Sequence, residues 1–448
     1  MSKPSHIMIL GGGISGLAVG YYARKNAIPF TIYEANSIIG GNCITFRHGD
    51  FLFDSGAHRF HCKDKEITNE IKTLLSEDLE RITVPSQIYH NGRYLYFPLS
   101  PLNFVNNLGF FTSIRSVVEL IRSRLTIREA DENFEKFLLK TYGKIISELF
   151  LLNYSEKLWG RPCNRLALDV AGKRMKGLTT GTLLREIIFG QRSTSAHMEG
   201  AFYYPKGGIG TIAERMGRVC GMENIVTNAK ATKIHHDHKR MNEVEIDGKR
   251  IEVPDELVST IPLDIFLNML EPEAPKEILQ LAESLRYRNI LLVALFLDKE
   301  FVTDAATVYF PNSGFPFTRV YEPRNRNSAM SPPGKTSLVA EIPCQSDDEF
   351  WSLDDEELTR KVSSFLVRIG WVKKDEIIDT MVVRMGYAYP VLETGSKEKV
   401  REIMNYLEKF ENVKLSGRSG RFVYAWIHNL IRSGREIVEE YISEKQRL

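Results

Sequence analysis

Three glycines, Gly11, Gly13 and Gly16, stand in GxGxxG spacing within Gly11-Gly12-Gly13-Ile14-Ser15-Gly16. An acid, Glu34, follows about 20 residues on. Each residue type answers a requirement of dinucleotide binding. Gly11 permits a tight turn, Gly13 lets the backbone approach a pyrophosphate, and Gly16 lets a helix lie close against a strand. Ile14 and Ser15 would open that helix, whose N–H groups and dipole favour phosphate. A carboxylate at Glu34 suits a ribose 2′-hydroxyl and disfavours a 2′-phosphate, which argues against NADP. The chemistry implied is binding of the ADP half of a dinucleotide.

The elements needed to hold these residues follow in order. Ile7-Met8-Ile9-Leu10 is a short apolar run, the pattern of a buried parallel strand. Leu17 to Lys25 has helical patterning, and Ile28 to Tyr33 predicts a second strand ending on Glu34. Downstream, Gly40-Gly41-Asn42 again offers backbone that a ligand can approach. Phe51 and Phe53 alternate as in a strand that runs into Asp54-Ser55-Gly56-Ala57, after which His58, Arg59 and His61 cluster. Spacing alone leaves that cluster as either a ligand site or an ordinary loop.

The order GxGxxG, acid, GGN and F-D-x-G-A-H-R-F-H resembles flavoproteins grouped with amine oxidases, protoporphyrinogen oxidases and UDP-galactopyranose mutases. The blocks Asn153 to Pro162, Phe202 to Gly210 and Leu415 to Tyr424 fit the same order, so the resemblance runs from about residue 6 to about residue 442. In that group the GG segment lies along FAD and the D-x-G-x-H turn lies near the isoalloxazine. The resemblance therefore implies FAD here, bound by Gly11, Gly13, Ile14, Ser15, Gly16, Glu34, Gly40, Gly41, Asn42, Gly56, Ala57 and His58. It implies a second FAD segment with Gly417, Arg418 and Tyr424, in which Arg418 adds a charge-assisted contact to the pyrophosphate. A helix is expected to open at Ser433-Gly434. His58, Arg59 and His61 become catalytic candidates.

The implied fold is α/β, with a Rossmann-like FAD-binding domain that is discontinuous (GR2-type) and carries an inserted α+β substrate domain. The expected pieces are FAD-binding residues 1–63, a mainly helical substrate or cap region 64–200, and FAD-binding residues 201–263. A substrate region with sheet, 264–400, and a last FAD-binding piece, 401–448, complete them. Within 201–263, Asn224 to Asn228 and Glu256 to Pro262 predict strands, and Asp247-Gly248 marks a hairpin turn.

The function implied is an FAD-dependent oxidoreductase that moves a hydride from substrate to flavin N5. The alternatives are a nucleotide-sugar mutase using reduced flavin as nucleophile and a non-catalytic flavin-binding protein. GGN and G-A-H-R-F-H resemble the mutase branch. Two departures separate the chain from it: Leu178 ends Lys173-Arg174-Met175-Lys176-Gly177-Leu178 where mutases place an arginine, and Trp426-Ile427-His428-Asn429 replaces their acidic stretch.

Substrate candidates come from the insertions. Trp159 can stack on a ring or simply pack in the core, and Arg161 can hold a phosphate or carboxylate bidentately. Arg319 lies beside Phe315-Pro316-Phe317, and Arg384, Tyr387 and Tyr389 precede the last nucleotide piece. A small-molecule substrate is the expected partner. With 59 basic and 57 acidic side chains, the balance gives no reason to invoke nucleic acid.

Five scattered cysteines without a CxxC pair predict reduced thiols in a cytoplasmic protein. The early strand predicts that no signal peptide precedes the glycine loop. His235, His236 and His238 lack acid or cysteine neighbours at ligand spacing, so no metal is expected. No run reaches the roughly 18 apolar residues of a membrane span. The stretch Leu102 to Leu125 mixes large apolar residues with arginines, and suits either a membrane surface or packing on its own domain.

Overall fold

The computed structural model describes residues 6–60, 64–97, 101–126, 133–171 and 202–447. A five-stranded, all-parallel sheet is built in the spatial order Val413–Leu415, Glu256–Ser259, Ile7–Leu10, Phe30–Tyr33, Ile225–Val226. Its central strand is apolar on both faces because both are covered. Ile7 and Ile9 face the helices Ile14–Lys25, Gly210–Cys220 and Ile427–Arg447, while Met8 and Leu10 face a second apolar core. That core contains the hairpin strands Ala231–His236 and Met241–Ile246.

The last helix starts at Ile427, earlier than Ser433-Gly434, the expected opening. Gly434 lies inside it for a packing reason. A Cβ there would come 2.5 Å from the Ala18 Cβ, so glycine is what lets this helix lie against the first.

A seven-stranded sheet forms the other half of the molecule. Its order is Ile377–Pro390, Tyr287–Leu297, Thr336–Cys344, Arg319–Tyr321, Thr307–Tyr309, Ser86–His90, Arg93–Phe97. The last two strands come from the stretch expected to be mainly helical. Asn91 and Gly92, with φ of +48° and +79°, turn the chain between them, as a two-residue hairpin with a primed turn requires. Helix Asp355–Arg368 covers one face of this sheet. The hairpin Thr45–His48/Phe51–Asp54 packs Phe51 and Phe53 against Phe296, Leu292 and Val339 on the other. That hairpin joins the two halves. Among the described residues, no helix is long and apolar enough to cross a membrane.

Candidate active site

The parallel sheet delivers a cradle made mostly of backbone. The strand Ile7–Leu10 ends on Gly11, whose φ of +101° favours glycine. Any side chain at Gly16 would collide with the Gly11 carbonyl oxygen. Gly13 precedes the helix Ile14–Lys25, and no side chain caps that end, so the first-turn N–H groups of Ile14 and Ser15 face outward for a ligand. Gly40 N–H donates to the Gly12 carbonyl at 2.8 Å. A Cβ on Gly41 would sit 3.1 Å from Gly13 Cα, and one on Gly417 would sit 3.4 Å from Ser15 Oγ. The three glycine segments thus meet at one helix start.

Glu34 is buried beside them. Its Oε2 accepts from Gly12 N–H at 2.6 Å, and its Oε1 accepts from the Asn36 backbone and side-chain N–H at 2.9 and 2.7 Å. A carboxylate oxygen has a second lone pair, so the oriented acid can still accept from a ribose hydroxyl. Open helix N–H groups, side-chain-free glycines and an oriented acid are the donor set an ADP pyrophosphate and ribose need, and the residues fit such a cofactor.

The turn after the hairpin is anchored from beneath. Asp54, fully buried, accepts from Tyr204 Oη at 2.6 Å, Thr45 Oγ1 at 2.7 Å and Ile209 N–H at 2.9 Å. Burial pushes its carboxyl above the usual range, and those hydrogen bonds pull the other way. Ser55 Oγ donates to the Asn42 carbonyl at 3.0 Å and lies 3.2 Å from His58 Nε2. Ala57 N–H donates to Glu341 Oε1 at 2.5 Å.

From Glu341 a chain of contacts runs into a chamber of arginine and tyrosine. Glu341 Oε2 accepts from Arg319 Nε at 2.6 Å, and Arg319 Nη2 reaches Tyr389 Oη at 3.3 Å. Arg418 lies 5.3 Å over the Tyr389 ring and 5.9 Å over that of Tyr424, and donates to the Ala388 carbonyl at 3.1 Å. Trp159 meets both rings edge-on, at 6.1 and 5.8 Å. Tyr154 packs on Tyr309 at 5.5 Å. His58, Tyr154, Arg319 and Tyr389 are each only partly buried, so their polar atoms remain reachable.

The electrostatics of the chamber are one-sided. Burial, reinforced by the guanidinium groups of Arg418, Arg319 and Arg326, pulls the His58 imidazole down to about 3, so it is neutral at ordinary pH. Burial holds the Tyr154 and Tyr389 hydroxyls protonated. Burial opposes the charge of Arg319, but its neighbours together, the Glu341 carboxylate foremost and then Tyr389, Tyr154 and Tyr309, outweigh it and keep the guanidinium ionised.

Other sequence candidates stand elsewhere. Arg59 turns to Ser86 Oγ and lies 5.0 Å over the Phe202 ring. His61 and the block Lys173 to Leu178 lie outside the described residues. Arg161 pairs with Glu393 at 2.7 Å and lines a surface cavity of about 520 Å³ with Lys157, Arg288 and Asp348. None of His58, Arg319, Tyr389 and Arg418 lines that cavity. Arg384 is held by Asp355 Oδ1 at 2.5 Å and the Leu353 carbonyl at 2.6 Å, beside the helix Asp355–Arg368.

Tyr387, at φ +53°, turns its hydroxyl to Asp264 Oδ2 at 3.4 Å. Its carbonyl, not its ring, joins the cradle, accepting from Asn42 Nδ2 at 3.2 Å and Ser419 Oγ at 3.3 Å.

Four residues near the chamber were not expected: Tyr154, Tyr309, Arg326 and Glu341. Glu341 carried a signal, as the only acid within the otherwise uncharged strand Thr336–Cys344. Arg326 carried none, since it sits in a polar run. It is nonetheless only 1% exposed, donating to Thr307 Oγ1 at 3.0 Å and lying 4.6 Å over the Tyr321 ring.

Cradle and chamber together define a flavoenzyme. The family described as flavin containing amine oxidoreductase matches residues 14–436, and the chain belongs to it. It is an FAD-dependent enzyme of oxidoreductase type. The chain is 21% identical to coproporphyrinogen III oxidase of Bacillus subtilis (strain 168), over 98% of each chain. It is 27% identical to protoporphyrinogen oxidase 1, chloroplastic, of Arabidopsis thaliana, over 37% of this chain and 32% of that one. A solved structure of reduced UDP-galactopyranose mutase shares the fold, with a TM-score of 0.85 and 20% identity over 98% of this chain and 94% of the other.

Proposed function

We propose that this protein oxidises an oxygen-rich or anionic small molecule by moving a hydride onto N5 of its flavin. The observation that carries this reading is the chamber beyond the His58 turn, where Arg319 and Arg418 stand among protonated tyrosines. FAD, when bound, supplies the hydride acceptor. Residues 1–63, 201–263 and 401–448 form its domain in this reading, and 64–200 with 264–400 form the substrate side.

The chain's own residues then have distinct tasks. Gly13, Ile14 and Ser15 hold the pyrophosphate, and Glu34 the ribose. Gly40, Gly41 and Asn42 border the cofactor, and Gly56, Ala57 and His58 present neutral groups to its ring. Arg319 and Arg418 orient substrate oxygens by charge-assisted hydrogen bonds. Trp159 and Tyr424 wall the site and exclude water.

A porphyrinogen of the kind for which the B. subtilis relative is named is the first substrate to test. Anaerobic mixing with the oxidised holoenzyme should bleach the flavin in proportion to substrate added. Unchanged oxidised absorption with coproporphyrinogen, protoporphyrinogen and a panel of amines would overturn the reading.

The tyrosyl hydroxyls beside Arg319 and Arg418 favour a second reading, a redox-neutral nucleotide-sugar mutase, because such hydroxyls match sugar hydroxyls. Under it, dithionite-reduced enzyme would interconvert UDP-galactopyranose and UDP-galactofuranose with no flavin reoxidation.

A further inference from the structure

Helix Phe110–Thr126 has its polarity inverted. Toward the protein it turns Ser116, Leu120 and Ser123, all buried, with Leu120 close against Gly143. Toward solvent it turns Phe110, Phe111, Ile114, Val118, Ile121 and Leu125, which are 46% to 81% exposed. At 3.6 residues per turn these six fall within about 100° of arc, one continuous stripe. Exposed Arg115 and Arg122 follow along one edge of it. The neighbouring acid, Glu119, lies further round, partly buried and 3.8 Å from Arg122.

We propose that this stripe lies on the surface of a bilayer containing anionic lipid, with Arg115 and Arg122 at the headgroups. Two observations select that occupant. The first is charge: a wide apolar arc bordered by arginine is the pattern of a helix that lies in the membrane interface plane. The second is area. Seventeen residues span about 26 Å, and a stripe about 10 Å wide covers roughly 260 Å². A stable protein partner buries about 800 Å² per side, so this face alone is too small to hold a second copy. A lipid surface sets no such minimum and takes up each apolar side chain separately.

The inference does not depend on the reaction proposed above, and it is tested with intact holoprotein. The assay is flotation with vesicles of phosphatidylcholine alone or mixed with phosphatidylglycerol. The protein should float with the mixed vesicles and much less with phosphatidylcholine alone, and about 0.5 M salt should release it by screening.

The double variant Phe111→Asp/Leu125→Asp should bind at least tenfold less, with flavin absorption and melting temperature unchanged. Arg115→Ser and Arg122→Ser should each weaken binding about fivefold, and only on anionic vesicles. Failure of the unmodified protein to float overturns the proposal, as does full binding by the double aspartate variant. So does protection of a Val118→Cys thiol without vesicles, whether by a second copy or by residues 172–201 of the same chain.

Discussion

The cradle and the chamber meet along the Gly40 to His58 stretch yet are built on opposite plans. The cradle works through what is missing: Gly16 has no side chain to strike the Gly11 carbonyl, and Gly41 and Gly417 let three segments converge. The chamber works through what is present: Glu341 clasping Arg319 and Ala57, and Arg418 spread over Tyr389 and Tyr424. A site made of absences fails when atoms are added. A site made of paired side chains fails when atoms are removed, and by degrees.

That contrast can be broken by substitution. The largest effect is expected from Gly16→Val, which should yield protein with no visible flavin absorption after purification, whatever FAD is supplied. If Gly16→Val holds flavin normally, the cradle is not backbone-built.

Next comes Glu341→Ala, which strands a guanidinium and a buried N–H together. It should cost about 3–5 kcal/mol in denaturant unfolding of the holoprotein. Arg319→Met leaves the Glu341 carboxylate, only 1% exposed, without its counter-ion and should cost a comparable amount. The double variant should cost well under the sum of the two, because the partners act as one unit.

A third effect concerns acid. The His58 imidazole titrates near 3 in the folded protein and at an ordinary value when unfolded, so the unfolded chain binds the extra proton first. Its contribution to stability is complete above about pH 6.5 and declines as pH falls toward 3. His58→Gln should flatten that part of the stability profile. A His58 ring resonance that shifts between pH 5 and 8 would contradict the neutral chamber.

The smallest effects should come from Arg161→Ser and Arg384→Ser. Each removes a partly exposed ion pair that stands apart from the chamber, so stability should change by about 1 kcal/mol or less. Turnover should be unchanged, because neither arginine touches His58, Arg319, Tyr389 or Arg418.

What was legible in the sequence follows the same division. Requirements of the backbone are local, so GxGxxG, Glu34 and the first strand and helix could be read from neighbours in the chain. Asn91-Gly92 was equally local, a hairpin signal that reveals two strands in a stretch whose helical patterning dominates. Gly434 misleads for the opposite reason. Ser-Gly resembles a helix opening, while the true cause is Ala18, more than 400 residues away. The chamber was legible in pieces only. Arg319 and Tyr389 could be named, but nothing near Arg384 in sequence shows that its strand turns it toward Asp355.

The parallel sheet also has a schedule. Val413–Leu415 is its edge strand, and helix Ile427–Arg447 seals the face on which the first helix lies. On a ribosome adding about 5–20 residues per second, about 400 residues and 20–80 s separate the first strand from that edge. Throughout that time Ile14, Leu17 and Ala18 lack the helix that later covers them. The nascent chain therefore carries an open apolar face, and Gly417 reaches Ser15 only after about 400 further residues have been made. The cradle is complete only once both of its distant segments have been made.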